Sequence, residues 1–204
     1  MTESLSTCDR SQRNETLKRH LIVAVTGASG APYARELLRV LPREELQVHV
    51  VASRSGRMVY EMEVGVSLEE DLPSAVILYR EDDFTAPFAS GSFPALGMVV
   101  VPCTMGTLAA LAGGISLNLI HRAADVCLKE RRRLILVPRE TPLNQIHLEN
   151  MLRLSRAGAV ILPAMPGFYN RPGSVEEIVQ FVVARILDHL EIPQDLVAPW
   201  NYLP

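Results

Sequence analysis

The chain is poor in aromatic residues, which make up 5% of its 204 residues, and it carries one tryptophan and three cysteines. With 48% hydrophobic residues and few aromatics, Val, Leu, Ala and Ile must fill the core, which suits buried parallel strands and helices better than a β-sandwich. Cys8, Cys103 and Cys127 are odd in number, widely spaced and never paired as CxxC, so they indicate neither a disulfide framework nor a zinc site. A reducing cytoplasm is the expected compartment. Excess positive charge is also missing: the net charge of −3 offers no general attraction to nucleic acid or anionic lipid, so any bound anion must be held by local basic groups. No apolar run approaches the roughly 18 residues that a membrane span needs. Residues 1–19 are polar and lack the apolar core of a signal peptide, so a disordered extension over 1–19 is expected, followed by one domain over 20–204. No histidine lies between His49 and His121, and no two histidines stand at a metal-binding spacing, so no metal site is expected.

What is present is an alternation of short apolar runs and amphipathic stretches. Strands are predicted at His20–Thr26, Gln47–Ala52, Ala75–Tyr79, Gly97–Val101, Leu134–Val137 and Ala159–Leu162. Helices are predicted at Tyr33–Leu41, Ser55–Glu63, Thr107–Ala112, Leu117–Glu130, Asn144–Ser155 and Val175–Leu190, the last opened by a capping box of Ser174 and Glu177. Alternating strands and helices imply an α/β fold, a Rossmann-like (flavodoxin-like) doubly wound, mostly parallel sheet with right-handed crossovers. Ligands in such sheets bind outside the carboxyl ends of the strands.

The turns expected at that edge carry small residues, hydroxyls and a few charges. Gly27-Ala28-Ser29-Gly30 can bring backbone N–H groups at a helix start close to a phosphate or a flat ring, although the same turn also serves as an ordinary β-to-α connection. It is not GxGxxG, and Ser53 stands where a dinucleotide fold would place a ribose-binding acid, which favours a mononucleotide such as FMN. Thr104-Met105-Gly106-Thr107 puts two hydroxyls at a helix start, suited to a phosphate or to plain N-capping. Arg122 and Lys129 lie two turns apart and share a helix face, which a solvated surface would also explain, but Arg139-Glu140 directly follow a strand at the binding edge. Arg185 sits beside the apolar Val182, Val183, Ile186 and Leu187, a setting in which an arginine often has an anionic partner. Ser29 lacks the G-x-S-x-G elbow of a serine hydrolase, and Cys103 at a strand end reads as a small buried residue before it reads as a nucleophile.

The segments GASGA at 27–31, ASGS at 89–92, PCTMGTLA at 102–109, NLIHRAADVCLKERR at 118–132, LVPRETPLNQIHLENM at 136–151 and PAMPGFYNRP at 163–172 together closely resemble the UbiX-type flavin prenyltransferases. That family was formerly labelled 3-polyprenyl-4-hydroxybenzoate carboxy-lyase or phenolic acid decarboxylase subunit. The resemblance covers about residues 20–200. It implies that reduced FMN and dimethylallyl phosphate bind together, that the dimethylallyl group is joined to flavin N5 and C6 without metal, and that the prenylated FMN serves a UbiD-type decarboxylase. It further implies FMN binding by Gly27, Ala28, Ser29, Ser53, Thr104, Met105, Gly106, Thr107 and Arg139, and dimethylallyl phosphate binding by Arg122, Lys129, Arg139, Glu140, Tyr169, Arg185 and Trp200. Ser29 and Glu63 match positions near N5, Glu140 one that exchanges a proton with phosphate, and Lys129, Tyr169 and Arg185 the rest of the catalytic set. The family assembles as dodecamers. Thr104 and Gly106 depart from the SMKT form of their motif, and Pro32 replaces a bulkier or polar residue, without removing a needed hydroxyl or charge.

Two other readings compete. A flavin-dependent decarboxylase of cysteine-containing substrates would need a His within the Asp82–Leu96 stretch and a PxMN turn, whereas this chain has no His there and reads Pro163-Ala164-Met165-Pro166. A non-catalytic FMN carrier would have no reason to keep Lys129, Glu140, Tyr169 and Arg185 together.

Overall fold

Six apolar runs pair side by side in a computed structural model that describes residues 18–198. They form β1 (Arg19–Val25), β2 (Leu46–Ala52), β3 (Ile77–Arg80), β4 (Ala95–Cys103), β5 (Arg133–Pro138) and β6 (Val160–Ile161). All pairings are parallel, in the order β3-β2-β1-β4-β5-β6. This is the doubly wound Rossmann order; without the short edge strand β3 it is also the flavodoxin-like order. The helices are α1 (Ala31–Val40), α2 (Arg54–Val64), α3 (Leu68–Asp71), α4 (Met105–Ala112), α5 (Leu119–Lys129), α6 (Gln145–Arg156) and α7 (Val175–Leu190).

Side chains alternate across each strand, and both faces are apolar because helices cover both. Leu21, Val23 and Val25 of β1 face a core shared with α1 and α7, while Ile22 and Ala24 face one shared with α4 and α5. These side chains are fully buried, the Leu, Ile and Val side chains each contributing roughly 1.5–3 kcal/mol of transfer free energy.

The boundaries differ from expectation where end effects outweigh hydrophobic pattern. Arg19 already pairs with Leu46, so the strand begins inside the expected extension; residues 1–17 lie outside the described residues. Asn118 caps α5 at the His121 amide, so that helix starts at Leu119, not Leu117. Ser67 caps α3 at the Glu70 amide; the S-x-x-E signature was present in the sequence for a helix not expected there. Ser174 caps α7 at the Glu177 amide, but the Glu177 carboxylate reaches back to Gly173 N at 2.9 Å rather than to Ser174, so the expected box closes one residue early.

The chain leaves β1 toward β2 on one side and β4 toward β5 on the other, so the loops after β1 and β4 part at the sheet edge. Thr26 clasps them. Its buried hydroxyl donates to Pro102 O at 2.7 Å and accepts from Thr104 N at 2.9 Å. Replacing it with valine orphans both groups, so Thr26→Val should cost about 1–3 kcal/mol in urea unfolding with an unchanged m-value, whereas Thr26→Ser should retain most of the stability.

Candidate functional site

The crevice between the β1 and β4 loops is lined by main chain because its residues are small. A side chain on Gly27 would come within 2.5 Å of the Ser55 Cβ and Oγ, so the turn lies flat on the start of α2. Gly30 has φ 125°, a conformation that glycine adopts without strain, and this turns the chain into α1. The Ser53 hydroxyl caps α2 at Gly56 N, 3.0 Å away, and Glu81 Oε1 accepts from Arg54 N at 2.9 Å. Opposite, Thr104 Oγ1 accepts from Thr107 N at 3.1 Å and donates to Thr107 Oγ1 at 2.9 Å.

The remaining main-chain donors point outward from this framework. Among the described residues, the amides of Gly27, Ala28, Ser29, Ser55, Met105 and Gly106 have no hydrogen-bond partner. Such a row of donors at three helix starts on both walls of the crevice fits a phosphate-bearing mononucleotide.

Two charged groups brace the turn. Arg139 Nε, at the end of β5, donates to Ser29 O at 3.0 Å. The Glu63 carboxylate, from the last turn of α2, accepts from Gly30 N and Ala31 N, both at 2.8 Å, and so caps α1 where no side-chain N-cap exists. Burial pushes the Glu63 carboxyl up, but donation from Ser29, Gly30 and Ala31 and the nearby charge of Arg139 outweigh it and hold the group below its ordinary value. Gly27, Ala28, Ser29, Ser53, Glu63, Thr104, Met105, Gly106, Thr107 and Arg139 therefore share one crevice.

The other expected residues lie in two further places. On α5, Arg122 Nε donates to Ala89 O at 2.9 Å and Nη1 pairs with Asp125 at 3.0 Å, while Lys129 pairs with Glu130. On the far side, the exposed Arg185 of α7 pairs with Asp188 at 2.7 Å, and Tyr169 meets Phe181 edge to face with ring centroids 5.7 Å apart. Glu140 accepts from Thr141 N at 3.0 Å, next to Arg139. Among the described residues, no hydrogen bond or ion pair joins Arg122 or Lys129 to Arg139 or Glu140. Trp200 lies outside the described residues.

Sequence reasoning missed Thr26 and Glu81, which hold two of the loops; a hydroxyl closing an apolar strand was the available signal for the first, and nothing local marked the second. A cleft of about 660 Å³ lies between α1, α2, α3 and α7 and meets the crevice residues at Glu63, next to Pro32. Among the described residues, no helix is long and apolar enough to cross a membrane, and no group of three or more His, Cys, Asp or Glu residues could hold a metal ion.

The Flavoprotein family model matches residues 9–187. The chain is 50% identical to the flavin prenyltransferase UbiX of Pseudomonas aeruginosa over 196 residues, covering 89% of this chain and 93% of that protein. It is 48% identical to the flavin prenyltransferase UbiX of Methanocaldococcus jannaschii, over 89% of this chain and 98% of that one. The chain belongs to the flavin prenyltransferase family. Among solved structures, AnUbiX in complex with FMN and dimethylallyl pyrophosphate superposes with a TM-score of 0.88 at 42% identity, over 92% of this chain and all of that one. A dodecameric FMN-dependent UbiX-like decarboxylase from Escherichia coli O157:H7 gives 0.85 at 45% identity, over 89% and 99%. A PPC decarboxylase at 21% identity and TM-score 0.59 shares the fold alone.

The flavin prenyltransferase crevice depends on Glu63 electrostatically as well as structurally. A carboxyl held below its ordinary value of 4.5 adds stability above that pH, and the stability is lost as pH falls through the lowered folded-state value. Glu63→Ala should cost about 1 kcal/mol at neutral pH by uncapping α1, and the variant's stability should fall less than the wild type's below pH 4.5, both read by urea unfolding across acid pH.

Proposed function

We propose that this chain binds reduced FMN in the crevice, takes dimethylallyl phosphate beside it, and releases prenylated FMN and phosphate. The single observation that carries the reading is the row of unpartnered amides at Gly27–Ser29, Ser55 and Met105–Gly106, braced by Arg139 and by the ionised Glu63. When bound, the reduced flavin would supply N5, which takes the dimethylallyl C1 as the C1–O bond to phosphate breaks and N5 gives up its proton, and C6, which bonds to C3 as the C2–C3 double bond gains a proton and C6 loses one, closing a fourth ring.

The protein's part is positioning, proton transfer and anion stabilisation. Glu63, kept as carboxylate, receives the proton lost from N5 through or beside the Ser29 hydroxyl, and Ser53 and the Thr104–Thr107 pair hold the flavin. Arg122, Lys129, Arg139, Tyr169 and Arg185 bind the departing phosphate, and Glu140 exchanges a proton with it. Arg122, Lys129 and Arg185 each pair here with an acid of their own helix or its end, so phosphate binding exchanges one anion for another at each. Trp200 offers a π face to cationic carbon. Because Arg122 and Lys129 stand on α5 and Arg185 on α7, helices packed on opposite faces of the sheet, we assign assembly of the full clamp to neighbouring subunits of a dodecamer, the state named for the Escherichia coli relative. The product goes to a UbiD-type decarboxylase in the cytoplasm.

Purified protein incubated anaerobically with reduced FMN and dimethylallyl phosphate should release phosphate and yield a flavin heavier by a five-carbon unit. An unchanged flavin mass with folded protein overturns the reading, and it would favour a carrier. Lys129→Ala should lower the rate about 10²-fold without weakening FMN binding. A Cβ at Gly167 would lie 2.9 Å from both Phe181 Cζ and Tyr169 Cε1, so Gly167→Ala should displace Tyr169 and raise KM for dimethylallyl phosphate by about 10-fold to 10²-fold, with FMN affinity unchanged in a fluorescence titration.

A further inference from the structure

One buried polar chain takes no part in this chemistry. His49 in β2 is 3% exposed, yet both ring nitrogens are bonded: Nε2 to His20 Nδ1 in β1 and Nδ1 to the Tyr79 hydroxyl in β3, each at 3.0 Å. Phe93 packs on His20 and His49 at centroid distances of 4.5 and 5.4 Å, and Phe88 packs on Tyr79 and His49 at 4.9 and 5.7 Å. These two phenylalanines flank the 89–92 loop on either side.

The other side of the same loop meets α5 and its end. Arg122 Nε donates to Ala89 O, and Arg132 donates to Gly91 O. A Cβ on Gly91 would meet the side-chain tips of Lys129 and Glu130, so the loop lies directly against the end of α5. The loop is thus seated between the His20–His49–Tyr79 chain and the helix that carries Arg122 and Lys129.

Proton counting shows how the seat responds to acid. A neutral His49 has one donor and one acceptor nitrogen, so the chain runs either from Tyr79 toward His20 or the reverse. A proton added to His20 is accommodated: His20 Nδ1–H donates to His49 Nε2, and His49 Nδ1–H donates to Tyr79. A proton added to His49 as well sets two N–H groups face to face and breaks the chain.

No carboxylate holds either imidazole: among the described residues, none bonds to His20 or His49. Asp83 acts on Tyr79, Arg57 donates to the Tyr79 carbonyl at 3.5 Å, and α5, which packs on β2, carries the buried His121, itself pushed down by burial, and Arg122 and Lys129 with Asp125 and Glu130 beside them. Burial and the neighbouring His20 charge accordingly push the His49 imidazole down to about 4.

We infer that His20, His49 and Tyr79 are positioning residues whose hydrogen-bonded chain seats the 89–92 loop, and with it Arg122 and Lys129, and that acid unseats this loop before it disturbs the flavin crevice. The functional consequence rests on the phosphate-clamp reading of Arg122 and Lys129. The unseating itself does not.

The sign follows from linkage. His49 in an opened loop regains an ordinary value of 6.5 and takes a proton that the seated form refuses, so opening is favoured below pH 6.5, by about tenfold for each unit until the folded value near 4 is approached.

Amide exchange of residues 89–93 in the full chain, corrected for intrinsic rates and referenced to the hydrogen-bonded Thr26 and Thr104 amides beside the crevice, tests this. From about pH 6.5 to about pH 5.5, loop protection should fall about fivefold in the wild type and stay constant in the double variant H20F/H49F, which keeps rings but does not titrate. An equal fall in both proteins, or none in the wild type, overturns the inference. Should the double variant not fold, Tyr79→Phe serves instead: KM for dimethylallyl phosphate should rise about tenfold while FMN affinity holds. Parallel changes in both quantities, or no change, overturn it. The exchange measurement needs no turnover, so absence of prenyl transfer would defeat the proposed function without deciding this point.

Discussion

The Thr26 hydroxyl joins the β1 and β4 exits where the chain's crossovers diverge, and the functional site rests on that join. With 2% exposure and two hydrogen bonds, it fixes the distance between the Gly27–Gly30 turn and the Thr104–Thr107 turn. Both turns then present amides that no strand or helix uses. A parallel sheet produces such unpaired donors wherever its helices begin, and the switch point lets helices from both faces contribute to one ligand.

Charge is managed locally. In a protein of net charge −3, the cations proposed to bind phosphate stand at the sheet edge and on two helices, several of them paired with acids of their own segment. Those internal acids lower the electrostatic cost of clustering cations while no substrate is bound. Glu63 is a different case, since its partners are backbone amides and its ionised form is the one the turn requires.

Much of the site was legible in the sequence because its parts are local: GASG follows an apolar run, Ser53 and Thr104 stand at helix starts, and each caps as a hydroxyl at that position should. Long-range links were not legible. Arg139 reaches Ser29 across 110 residues, Glu63 reaches Gly30 across 33, and Arg122 spends its Nε on Ala89. No spacing rule connects such positions, because sheet order decides which ends become neighbours. The same holds for His20, His49 and Tyr79, which only the β3-β2-β1 order sets in a row.

The sequence by itself determined the layered α/β class, the starts of most helices and the small, hydroxyl-bearing turns at those starts, since periodicity, caps and glycine turns act over a few residues. Only the tertiary structure decided that the expected phosphate-binding cations fall into separate groups, with Arg122 and Lys129 on α5 and Arg185 on α7, and that a buried imidazole chain underlies the loop beside the first group. Which charges meet depends on how the helices pack around the sheet, a property of the whole chain that no short stretch of it encodes.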